Sequence, residues 1–126
     1  MPVWTKRSRL LAIIPCLMGA AGVSAAAAAA HVTGEGRMSA AAQVLMVHAA
    51  ATLALAACGA TASRLVLAGA VGLQAGAILF AADMAARTIL ERALFPSAAP
   101  IGGTLLIVAW LVAAAGFAFR PRSTVQ

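Results

Sequence analysis

Residues 65–82 read LVLAGAVGLQAGAILFAA, an apolar run broken only by Gln74. At about 1.5 Å of rise per residue, a helix of this length crosses the roughly 30 Å hydrocarbon core of a bilayer. Three further stretches, 10–30, 40–60 and 101–119, have the same character, and with the first they take up well over half of the 126 residues. The pattern predicts an all-α membrane protein with four transmembrane helices in an antiparallel bundle, a single integral membrane domain over residues 1–126. Hydrophobic residues make up 63% of the chain and charged residues 10%, far from the makeup of a soluble domain. The ends and connections are too short to bury a core of their own.

The net charge of +6 does not point to nucleic acid, because the basic residues stand where the helices end and form no patch interleaved with aromatics. Lys6, Arg7, Arg9, Arg64, Arg120 and Arg122 mark one side of the membrane. Arg37, Arg87 and Arg92 mark the other, offset there by Glu35, Asp83 and Glu91. The positive-inside rule then places both termini in the cytoplasm, as in a multi-pass protein of the cell inner membrane. Basic residues beside a membrane also attract anionic lipid headgroups.

The N-terminus imitates a secretory signal, with basic residues, an apolar run and an alanine tract at 25–30. Its apolar stretch is longer than a signal core, so the first helix is expected to be retained. Pro15 is expected about one turn into that helix, where its missing N–H costs little. Ser39 is placed to cap the second helix. Cys16 and Cys58 fall inside apolar zones and read as small buried hydrophobes with inert thiols.

Gly69, Gly72 and Gly76 share the third span, and the spacing Gly72-x-x-x-Gly76 puts two glycines on one helix face. Lipid tails are as apolar as leucine, so helices associate there through surfaces that fit, and small residues permit the fit. The expectation is packing within one bundle, the same spacing also suiting a homodimer. Gly102 and Gly103 extend the argument to the last helix, which Pro100 is expected to open at its favoured first position. Beyond Phe80, the charges Asp83, Arg87 and Glu91 recur every four residues, as on a helix leaving the membrane or lying on its surface. Trp110 sits mid-span and reads as a packing residue, whereas Trp4 reads as an interfacial anchor.

Four local patterns occur in order: Ala30-His31, His48-Ala49, Leu79-Phe80, and Pro100-Ile101-Gly102-Gly103 followed by Trp110. Together they resemble domain-of-unknown-function family 423, small bacterial four-helix inner-membrane proteins, over about residues 10–119. The resemblance implies fold and location and carries no activity with it. The chain departs from the family at Val32, where a glycine is usual, and at residues 81–85, where small and aromatic residues are common.

The candidate polar site comprises His31, His48, Asp83 and Gln74. The two histidines belong to the same side of the hairpin, His48 about 12 Å below the start of its helix. Two ligands at different depths, with no cysteine or carboxylate at ligand spacing, make a poor metal or haem site, so no metal and no cofactor are expected. Asp83 at the end of a span is expected to pair with Arg87, the sharper alternative being a proton or cation relay. Gln43 and Gln74 suit interhelical hydrogen bonds. No nucleophile, carboxylate pair or phosphate loop appears, so the chain is not expected to be an enzyme. The leading expectation is a non-enzymatic bundle that engages membrane lipid or another membrane protein, including a second copy of itself. The alternative is a small-solute or proton-coupled transporter, which the absence of any carboxylate in 10–30 disfavours.

Overall fold

The computed structural model describes residues 4–33 and 36–120; Glu35 and Arg122 lie outside the described residues. Four long helices follow one another: α1 (Lys6–Ala28), α2 (Arg37–Ala57), α3 (Arg64–Ile89) and α4 (Ala98–Ala118). A π-helical turn, Ala29–Thr33, extends α1, and a 3-10 turn, Ala60–Ala62, joins α2 to α3. All four are long and apolar enough to cross a membrane. The distribution of side chains agrees with that, because large aliphatics such as Leu17 and Leu111 are each 66% exposed while much of the buried set is alanine.

Local chemistry explains the helix starts. The Thr5 hydroxyl accepts from the Ser8 backbone N–H at 3.2 Å to cap α1, and Ser63 accepts from the Val66 N–H at 3.4 Å to cap α3. Ser39 does not cap α2. That helix starts earlier, after Gly36 at φ +104°, a backbone conformation that suits glycine, and Ser39 falls within the first turn. Likewise α4 begins at Ala98, because Ser97 turns the chain in a left-handed conformation at φ +68°. Pro100 is therefore the third helical residue, still among the N–H positions that have no partner within the helix.

Two further boundaries move. The charged segment after Phe80 continues α3 as far as Ile89. Because α1 begins at Lys6, Pro15 lies well inside it, with a fully buried ring.

Packing runs in sequence, α1 on α2, α2 on α3 and α3 on α4, while α1 meets α3 only sparsely. At the end that carries the termini, Arg120 reaches back to the turn between α2 and α3. Its guanidinium donates to the carbonyl of Gly59 at 2.9 Å and stacks over Phe117, 5.2 Å from the ring centre. It also reaches the Cys58 carbonyl at 3.4 Å, so a cation meets the carbonyls that follow the end of α2.

Candidate functional site

The glycines on α3 are spent on α4. A Cβ on Gly69 would lie 2.7 Å from Ala113 Cβ and 2.9 Å from the Ala109 carbonyl oxygen. On Gly72 it would lie 2.8 Å from Ala109 Cβ, and on Gly76 2.9 Å from the Gly102 carbonyl oxygen. From the other side, a Cβ on Gly102 would meet the Phe80 backbone nitrogen at 2.8 Å. These two backbones touch, so only glycine fits at the crossing. Gly103 differs from the expectation: one residue along, it has turned away, and a Cβ there meets nothing within 4 Å. Gly22 and Gly116 have equally close contacts, with Met46 and Val66, and were not evident from spacing because neither has a glycine four residues away.

Asp83 is completely buried. One carboxylate oxygen accepts from Arg87 Nε at 2.7 Å, and the other accepts from the Leu94 backbone N–H at 2.8 Å. The first bond is the i, i+4 pair visible in the sequence; the second fastens the 90–97 connection onto α3. Arg37, at the start of α2, donates from Nη1 to the Arg87 carbonyl at 3.4 Å. Charges from α2 and α3, and a backbone N–H from the 90–97 connection, therefore gather at the end of the bundle that carries the α1–α2 and α3–α4 connections.

Gln74 is buried, and its Nε2 donates across to the Leu11 carbonyl of α1 at 3.3 Å. The reason lies in Pro15. Having no N–H, proline leaves the carbonyl four residues earlier without its helical donor, and that carbonyl belongs to Leu11. A side chain from α3 supplies what the backbone of α1 cannot. Gln43, by contrast, faces outward. Cys16 and Cys58 are also exposed, correcting the expectation of buried thiols, and both are free.

His48 meets Trp110, not His31. Its Nε2 lies 3.3 Å from Trp110 Nε1, and its Nδ1 lies 2.8 Å from the Val44 carbonyl. Indole nitrogen only donates, so Nε2 accepts and the proton sits on Nδ1. Both ring nitrogens are thereby engaged. His31 stands exposed in the π-helical turn at the far end of α1. Among the described residues, no three histidine, cysteine, aspartate or glutamate side chains come together as a metal site would require.

A groove of about 580 Å³ opens where α1, α2 and α3 fail to close on one another. Ile14, Leu17 and Ala25 line it from α1, Leu45 from α2, and Ile78 and Ala82 from α3. Nearer the termini, a smaller recess of about 330 Å³ between α1 and α3 contains Arg7 and Gln74.

A sequence model for the family described as "Protein of unknown function (DUF423)" matches residues 10–103 of this chain. The chain belongs to that family. No curated protein and no solved structure matches it. Of the patterns that carried the resemblance, those up to Pro100-Ile101-Gly102-Gly103 lie within the DUF423 match, and Trp110 lies beyond it. The structure gives two of them physical content in this DUF423 chain. Gly102 is the point where the α4 backbone meets Gly76 and Phe80, and His48 is the acceptor for Trp110. Asp83, also within the match, holds the last connection through the Leu94 N–H.

Proposed function

We propose that this chain is a non-enzymatic, multi-pass protein of the bacterial inner membrane, with both termini in the cytoplasm, which works by holding membrane lipid in the groove between α1, α2 and α3. The observation that carries the reading is the groove itself: it is apolar, about 580 Å³ in volume and set among helices long enough to span a bilayer. In lipid, an acyl chain fills such a gap at little cost, because it offers the same dispersion contacts as a leucine side chain. The charge asymmetry between the two ends supports the cytoplasmic placement of the termini.

A partner protein or a second copy would have to use the outward leucine and isoleucine faces, since the glycine face is occupied by α4. Transport has less support, because both oxygens of Asp83 already have partners within the chain. The test is native mass spectrometry of the full-length protein released from mild detergent. Lipid retained in a fixed ratio, and displaced by bulk introduced into the groove, is the expected result. Lipid-free protein with unchanged stability would reject the reading.

A further inference from the structure

The apolar groove is succeeded by a polar pocket at the end of the bundle that carries the α1–α2 and α3–α4 connections. This pocket, about 560 Å³, is lined by Thr33, Gly36, Arg37, Arg87, Thr88 and Glu91. It continues the elements that line the groove. On α2, Arg37 directly precedes the groove residue Met38; on α3, Thr88 lies about 4.5 Å along the axis from the groove residue Ala85. An apolar trough followed along the helices by a charged recess has the two-part form of a membrane amphiphile.

The charges in that recess specify more. Arg87 uses Nε for Asp83, and Arg37 gives one Nη1 contact to the Arg87 carbonyl. Among the described residues, the other nitrogens of both guanidinium groups have no further partner and face a ligand in the pocket. Asp83 is sealed beneath the surface, whereas Glu91 lines the pocket and is exposed. Among the described residues, the recess therefore presents two guanidinium groups, that of Arg87 already paired with Asp83, and one carboxylate. Guanidinium forks match phosphate oxygens, and a primary ammonium offers a carboxylate three N–H donors.

We propose that this pocket binds the headgroup of an amine-bearing zwitterionic glycerophospholipid, with phosphate on Arg37 and Arg87, ammonium on Glu91, and an acyl chain in the adjoining groove. The assignment rests on the lipid-holding function proposed above and adds which lipid. A phosphatidylglycerol headgroup brings the phosphate but leaves Glu91 without a counter-charge. A choline headgroup brings the charge but has no N–H to donate.

The experiment offers full-length protein an equimolar mixture of phosphatidylethanolamine, phosphatidylcholine and phosphatidylglycerol with matched acyl chains, and reads the retained lipid by native mass spectrometry after washing. Wild type is expected to keep phosphatidylethanolamine about tenfold over phosphatidylglycerol, the effect of one charge-assisted hydrogen bond. Arg37→Gln is expected to lower phosphatidylethanolamine retention by about tenfold, and Glu91→Gln to bring the two lipids to near parity. Both residues are exposed, so the fold tolerates these changes. Ala82→Trp, an exposed position on the groove wall, is expected to strip all three lipids. Equal retention of the three lipids, or a preference unmoved by Arg37→Gln or Glu91→Gln, overturns the headgroup assignment. In that event, loss of lipid from Ala82→Trp still upholds the groove, whereas wild-type retention by Ala82→Trp overturns the groove as well.

Discussion

Along α3, the side that meets α4 carries Gly69, Gly72 and Gly76, whereas the side toward α1 carries Leu67, Val71 and Ile78. On the first side the backbones come into contact; on the second they stand apart, leaving two recesses and, between them, the hydrogen bond from Gln74 to Leu11. In water, the open side would be a liability, because apolar walls would face solvent. In a bilayer, the gap is filled by tails that cost nothing to desolvate, so a bundle can keep one seam tight and another ajar. The small residues on α3 thus decide which neighbour is permanent.

The sharpest way to break this contrast is Gly69→Leu. The new side chain would enter the backbone of α4, and we expect a loss of about 3 kcal/mol, the upper part of the usual range for overpacking, seen as a fall in thermal stability in detergent. Gly103→Leu, one helix over and facing open space, is the control and should leave stability unchanged. Asp83→Asn comes next. It removes the charge that Arg87 and the Leu94 N–H both address, and amide hydrogen exchange at Leu94 should speed up on the order of tenfold or more.

Gln74→Leu should cost about 0.6 kcal/mol, the average for an interhelical hydrogen bond in lipid. Its more informative effect is geometric: spin labels on α1 and α3 should report a broader distance distribution, while labels on α3 and α4 stay narrow. A broadening of both pairs would show that the two seams are not independent. The smallest effect is expected from His48→Phe, which removes a 3.3 Å bond to a half-exposed indole. Trp110 fluorescence should shift with hardly any change in stability.

The four spans could be read directly, because about 20 apolar residues have few other uses. The Asp83–Arg87 pair could be read too, since i, i+4 spacing places both side chains on one face. Their third partner could not, because the position of the Leu94 N–H depends on how a connection folds. The pairing of His48 with Trp110 also stayed hidden: helices apolar on every side give no cue to their rotation about their own axes. The amphipathic pattern after Phe80 suited a helix leaving the membrane or one lying on its surface, and the continuous α3 as far as Ile89 is the first of these. The bond from Gln74 to Leu11 had a signal that could have been used. A proline well inside a span announces an unpaired carbonyl four residues back, and a buried glutamine in another span is a natural donor.

That same bond has a consequence for the making of the protein. Leu11 and Gln74 lie 63 residues apart, so the donor is synthesised long after the acceptor. The nascent α1 enters the bilayer with one backbone oxygen unpaired in its helix, a group that hydrocarbon does not solvate, and keeps it so until α3 has emerged from the ribosome. The first hairpin is therefore a provisional structure, and its leading helix reaches its final seat only when the third has been threaded beside it.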